Sequence, residues 1–321
     1  PDAELLGSAS QVTEVEAPPA ANPTASASPA RMTAAEMAAL EVEAHYLLDQ
    51  AGAASGEQVN ITRTVEGGLQ VRALVDTDKR KEELLAALKP LRERPGVRPG
   101  VNPAVSIDIA TYAEAARRQL QRSTGPLIIS EAQVPQQQMP AGPDLRRYFS
   151  AQAEAQPQLA AGRAPEAWPE AWIAEQVTRF ATRMQGQAVR PVRQAWALKN
   201  LIARIPPEEA QGLSADAKAK WLGMIRSHAL GVRRETENLR RELQPIFFSA
   251  AQIEGEPGEA DNIDLKQAVE QLVELTSAHD KAVSKAFSSS TGNIEMALKS
   301  AQFQQSLRRV EILAAALEKY N

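Results

Sequence analysis

The sequence predicts an α+β chain that is mostly α: a small two-layer α-β-β-α-β module followed by an antiparallel helical bundle with long helices. Three observations predict it. Alternation of apolar and polar residues with period two is confined to residues 59–75 and 105–109. Beyond Asp144, apolar residues recur at three-four spacing over long stretches. Aromatic residues make up only 4% of a chain whose commonest residue is alanine, and that favours helices packed through small side chains over a sandwich or barrel. At 321 residues the chain also exceeds one core of roughly 100–200 residues, so two folded parts plus tails are expected.

Residues 1–30 are rich in Ala, Pro, Ser and Thr and carry no apolar period. Such a segment cannot repay its ordering entropy by burial, so it reads as a flexible tether with ends about 30 Å apart. A module spanning 31–124 follows. Thr33-Ala34-Ala35-Glu36 is a capping box, opening a helix to about Gln50 with the stripe Met37, Leu40, Ala44, Leu47 and Leu48, ended by Gly52. Val59, Ile61, Arg63 and Val65 then alternate with polar residues; Glu66-Gly67-Gly68 makes a turn; Leu69, Val71, Ala73 and Val75 alternate in return. This is a hairpin with one apolar face. Asp76-Thr77-Asp78 caps a helix carrying Leu84, Leu85, Leu88 and Leu91, which Pro95-Gly96 stops. A third strand holds Val105, Ile107 and Ile109, and a short helix is expected over 110–124. With one polar face per strand, helices should cover one side of the sheet only.

Residues 125–143 read as a linker, because Pro and Gln replace any period. The remaining 144–321 form an all-helical domain. Helices are expected over 144–160, 166–186, 189–204, 207–212, 215–248, 264–288 and 293–320, broken at Pro165, Gly186, Pro206-Pro207, Gly255 to Gly258 and Ser288 to Gly292. Leu222, Ile225, Ala229, Val232, Thr236, Leu239, Leu243 and Ile246 form a bundle or coiled-coil seam. Leu265, Ala268, Leu272 and Leu275 form another, and Phe303, Leu307, Val310, Ala314 and Leu317 a third. These long amphipathic helices should pack side by side.

Several chemistries are excluded or unsupported. Zero cysteines remove disulfides, thiolate nucleophiles and every Cys-containing metal site. With 36 basic against 40 acidic residues, net charge -4, there is no bulk attraction for nucleic acid. No stretch approaches a membrane span, and no signal peptide is present. His45, His228 and His279 fall in three separate helices without metal spacing. Each reads as a packed or hydrogen-bonded helix-face residue; for His228 and His279 the alternative is a pH-sensing pair between two long helices. No nucleophile elbow or phosphate loop is present. Glu254, Glu256, Glu259, Asp261 and Asp264 lack an EF-hand pattern and read as a solvated loop.

Arg226, Arg233, Arg234, Arg240 and Arg241 alternate with Glu235, Glu237 and Glu242 and read as a solvated helix face with partners one turn away. Trp168, Trp172, Phe180, Trp196 and Trp221 should plug the joints between helices. No residue is nominated as catalytic, cofactor-binding or metal-ligating, and no cofactor is expected.

The run Gly67-Gly68-Leu69-Gln70-Val71-Arg72-Ala73-Leu74-Val75-Asp76-Thr77-Asp78-Lys79-Arg80, followed by Pro95-Gly96-Val97, resembles a BON-type module of bacterial envelope proteins over about a quarter of the chain. It departs from that family at Ala73-Leu74, where a glycine is usual, and in the Pro/Gly insertion before the last strand. The resemblance implies attachment to phospholipid or another envelope component. The tether, this module and the helical stretch around Ala217-Lys218-Ala219-Lys220-Trp221-Leu222 and Arg233 to Leu243 are together similar to the extracytoplasmic regions of single-pass bacterial membrane proteins of the anti-sigma-factor type. That likeness implies a membrane anchor upstream of Pro1, a periplasmic or other extracytoplasmic location, and a protein or envelope component as partner. The expected function is therefore non-enzymatic sensing or protein interaction. The alternatives are a cytoplasmic helical scaffold that forms a homodimer, and a helical enzyme whose site is built from scattered carboxylates.

Overall fold

The structure is a computed structural model that describes residues 32–54, 56–65, 67–93, 105–122, 142–155, 169–248, 264–288 and 295–321. The tether and nearly all of the linker lie outside them. The chain is α+β and mostly α, with a three-stranded mixed sheet and several long helices.

Helix α1 (Ala34–Gln50) begins at the expected capping box: the Thr33 hydroxyl accepts the Glu36 N–H at 3.2 Å, and the Glu36 carboxylate accepts the Thr33 N–H at 2.7 Å. Strands β1 (Gln58–Arg63) and β2 (Leu69–Val75) pair antiparallel, with Ile61 opposite Val71. Gly67 takes φ 83° in the turn, a value a side chain would strain. Strand β3 (Val105–Thr111) lies parallel to β2, giving the order β1-β2-β3. The helix expected to run through Leu91 divides into α2 (Asp78–Ala87) and α3 (Lys89–Arg92). Pro90 lies in the first turn of α3, and its ring, which would collide with the carbonyl four residues back, cannot continue α2. Met37, Leu40, Ala44 and Leu48 of α1, with Leu84, Leu88 and Leu91, cover one face of the sheet against Ile61, Leu69, Val71, Ala73, Val75 and Ile109. After β3 comes α4 (Tyr112–Arg122), where Thr111 and Glu114 exchange reciprocal side-chain to backbone hydrogen bonds.

The helical part comprises α5 (Pro143–Ala155), α6 (Glu170–Arg204), α7 (Pro207–Gln211), α8 (Ala215–Phe247), α9 (Leu265–Ser288), α10 (Glu295–Lys299) and α11 (Ala301–Glu318). Four of these form a ring in which α6 packs on α8 and α9, and α11 packs on the same two. Cross-contacts fix their directions. Gln187 meets Glu242 while Gln194 meets His228, so α6 and α8 are antiparallel. Arg233 meets Glu318 while Arg240 meets Glu311, so α8 and α11 are antiparallel. His279 meets Ser306 and Gln271 meets Arg309, which sets α9 against α11. Helices α8 and α9 therefore run the same way.

Two expected helix boundaries move. Residues 166–186 and 189–204 were expected as two helices, yet α6 runs unbroken for 35 residues through Gly186 and Pro191. Glycine costs a helix interior about 1 kcal/mol and proline about 3. Buried Phe180, Met184, Ala188, Ala195 and Leu198 on both sides offset those costs by packing. A Cβ added at Gly186 would meet no atom within 4 Å. Gly186→Ala is therefore expected to raise stability by about 0.5–1 kcal/mol in urea unfolding followed by helical circular dichroism; a loss would show that Gly186 relieves strain beside Pro191. The last helix, expected over 293–320, divides at Ser300, whose hydroxyl accepts the Phe303 N–H at 3.1 Å and starts α11 afresh.

The bundle holds two apolar cores. One contains Ala195, Leu198, Trp221, Ile225, Val232, Leu272 and Val310, the other Phe149, Phe180, Met184, Leu239, Phe287 and Leu307. Pro191, Thr236 and Thr276 fall where they meet. The first core also includes Ala38 and Val42 of α1. Helix α1 thus belongs to both parts of the molecule, one face on the sheet and the other on the bundle.

Candidate functional site

The bundle-facing side of α1 carries Ala38, Val42, His45 and Asp49 at spacings of four, three and four. Its first two members are apolar and its last two ionisable. Across from them, α8 supplies His228 and α6 supplies Gln194, Asn200 and Arg204. The His228 ring has an oxygen at each nitrogen: Gln194 Oε1 lies 2.7 Å from Nδ1, and Asp49 Oδ1 lies 3.3 Å from Nε2. Gln194 reaches this position by crossing α8 at Gly231, where an added Cβ would lie 3.0 Å from its side chain. His45 Nε2 is buried without a hydrogen-bond partner.

Burial pushes the Asp49 carboxyl up and the His228 imidazole down, each opposed by the charge of the other. Burial thus favours the neutral form of each partner. His45 is held down to about 4, first by burial and then by the positive fields of Arg204 and His228. Arg204 itself donates to Asn60 Oδ1 of β1 at 3.2 Å.

These groups surround a cavity of about 90 Å³ lined by His45, Asp49, Glu57, Asn200, Met224 and His228. That is room for about three water molecules. Glu57 is engaged by Arg80 Nε at 2.5 Å. At Glu57, Val59 and Asn200 the cavity adjoins a much larger open groove of about 860 Å³. The groove runs over the sheet face that α1 leaves bare, past Asn60, Arg72, Leu74 and Asp108, and is bordered by Arg118 of α4 and Asn200 of α6. Its volume lies in the range of ligand sites, roughly 300–1,000 Å³.

Other residues singled out in the sequence are placed as follows. His228 and His279 do not form a pair. His228 sits with His45 and Asp49, whereas His279 bonds Ser306 at 2.7 Å and lies edge-on to Phe303. The arginine run is not simply a solvated face, because it stitches α8 to α11. Arg233 binds Glu318 at 2.5 Å as well as Glu237, Arg240 binds Glu311 at 2.8 Å, and Arg226 donates to the Tyr320 carbonyl. Arg234 is exposed.

Trp172 and Trp221 are buried, but Trp196 is 44% exposed with the Lys199 ammonium over its ring, so it plugs no joint. Trp168 and the acids at 254, 256, 259 and 261 lie outside the described residues. Asp264 accepts the Gln267 N–H at the start of α9. Among the described residues no group of three His, Asp or Glu side chains is placed to hold a metal ion, and no helix is long and apolar enough to cross a membrane.

No single-residue motif announces the cluster. The available signal was the second stripe of α1, which ends in His45 and Asp49 where a purely structural face would stay apolar. No family model matches the chain, no curated protein matches it, and no solved structure matches it.

Proposed function

We propose that this chain is a non-enzymatic sensing or protein-interaction region in which an α/β unit docks on a helical bundle and a ligand or partner biases that docking. One observation carries the reading: the groove has the sheet of the α/β unit as its floor and meets the bundle at Asn200 of α6. An occupant touching both sides binds the docked arrangement better than the undocked one, and that difference in affinity is all a sensor requires. The joint suits such a role because polar pairs share it with the apolar contacts. Lys220 pairs with Glu43, Arg63 with Glu209 at 2.5 Å, and Arg204 with Asn60. Pairs of this kind, partly exposed, hold an interface with modest energies.

The likeness to extracytoplasmic regions of the anti-sigma type supports placing this device outside the cytoplasm, anchored to the membrane, with a protein or envelope component as its partner. The gene sequence upstream of Pro1 tests that part: about 20 consecutive apolar residues are expected there. An enzyme would ask for two carboxylates with displaced protonation in a deep pocket. Asp49 supplies one, and the nearest second, Glu57, is bound to Arg80.

Native-state hydrogen exchange on the full chain tests the two-part reading. Amides of β1 and β2 are expected to open with a free energy about 2 kcal/mol or more below that of α8 and α11. One common opening energy for all four elements would show a single cooperative unit and end the proposal.

A further inference from the structure

We propose that the His45–Asp49–His228 cluster is an acid-sensitive latch, whose uptake of a proton releases the α/β unit from the bundle. The inference rests on the reading of this joint as the movable part of the molecule. Its geometry places ionisable groups around a cavity with room for only about three water molecules, so separation of the two units hydrates them far better. His45 and Asp49 come from α1, His228 from α8, and Leu201 and Met224 also line the small cavity between them.

Every charged or titratable group facing the cluster can be named. Helix α6 presents Arg204, with the neutral amides of Gln194 and Asn200; α8 presents His228; the segment before β1 presents Glu57, already neutralised by Arg80 of α2. Asp49 is the carboxyl within reach, and it is engaged with His228. A proton arriving on His45 therefore adds a cation beside Arg204 and His228, at a ring nitrogen with no acceptor. Opening the joint gives that cation water.

Linkage sets the size and sign. His45 titrates at about 4 when docked, against 6.5 for a free imidazole. Between those values the undocked form binds more protons, so docking weakens as pH falls through that window. By pH 5 the docking constant is expected to drop on the order of 30-fold from His45 alone. His228, lowered by burial, acts in the same direction, while its partner Asp49, raised by burial, acts in the opposite one, so His45 sets the sign.

The chain has no cysteine, so a pair of spin labels can be placed at will. Asp76→Cys in the α/β unit and Arg234→Cys on α8 are both exposed and lie outside the cluster. In the full chain the label-to-label distance is expected to be narrow at pH 7.5 and to broaden toward longer values at pH 5. His45→Gln, whose amide takes no proton, should stay narrow at pH 5, and His279→Gln should broaden as the parent does. An unchanged distribution at pH 5, or a His45→Gln chain that broadens equally, overturns the latch.

Should His45→Gln lose helical circular dichroism, the parent decides by the midpoint of its His45 Cε1 proton titration. Agreement with the label midpoint supports the latch, and separation by more than one pH unit overturns it. Low urea at pH 7.5 separates the two ideas. Labels that part in urea before helicity falls, yet ignore acid, overturn the latch and keep the two-part reading. Labels that hold in both until the helices melt overturn the two together.

Discussion

Replacing Phe180 with alanine is expected to lower the unfolding free energy by about 3–5 kcal/mol, the range for truncating a fully packed aromatic. Phe180 is 4% exposed and sits at the centre of the second bundle core. Its ring meets Phe149 edge-on at 6.1 Å and Phe287 at 5.9 Å, with the Arg183 guanidinium 5.4 Å from its centre. Phe149 in turn packs on Trp172 of α6, so this one side chain ties α5, α6 and α9 together. The neighbouring rings Phe149 and Phe287 are anchored on separate helices, α5 and α9, which limits their collapse into the vacated space. Much of the cavity should therefore persist and add its own cost. Urea unfolding of the full chain, followed by circular dichroism at 222 nm, measures the effect. A loss below about 1 kcal/mol would mean that the ring cluster is loosely packed, and the second core would have to be held by its leucines alone.

What could be foreseen divides along a physical line. Local chemistry was legible: the Thr33–Glu36 box, the turn at Gly67 and the one-sided strands depend on residues within a few positions of one another. The seams of α8, α9 and α11 were legible too, since Ile225, Ala229, Val232, Leu272, Leu307 and Val310 repeat at helical spacing and all are buried.

What escaped depends on partners far along the chain. Gly186 and Pro191 look like breakers until the packing of α6 on two neighbours is known. Arg233 and Arg240 have candidate partners one turn away, yet Arg240 turns to Glu311 and Arg233 divides between Glu237 and Glu318. A carboxylate on an adjacent helix lets the side chain brace two elements instead of one. The cluster was the hardest to see: Gln194, His45 and His228 belong to three helices, and nothing in any one of them predicts the others. The stripe Ala38, Val42, His45 and Asp49 shows a second contact face on α1 but not what it touches.

Stability of the bundle is expected to fall by about 2 kcal/mol between pH 7 and pH 5, and by about 3 kcal/mol by pH 4, on account of His279 alone. His279 is 3% exposed and held down to about 4 by burial. The Ser306 hydroxyl gives its hydrogen to the Phe303 carbonyl at 2.7 Å, so the N–H between His279 and Ser306 must come from imidazole Nε2, leaving Nδ1 to take any further proton. A free imidazole protonates near 6.5. Between pH 6.5 and 4 the unfolded chain thus binds a proton that the folded one refuses, and stability rises with pH across that window. His279→Leu keeps an apolar body against Phe303 and leaves the Ser306 to Phe303 bond intact. Urea unfolding of parent and variant at pH 7 and pH 5 gives the comparison, with His45 acting equally in both. The variant should lose about 2 kcal/mol less than the parent on acidification. Equal losses would mean that imidazolium is accommodated at 279 inside the bundle, and that burial there carries no proton penalty.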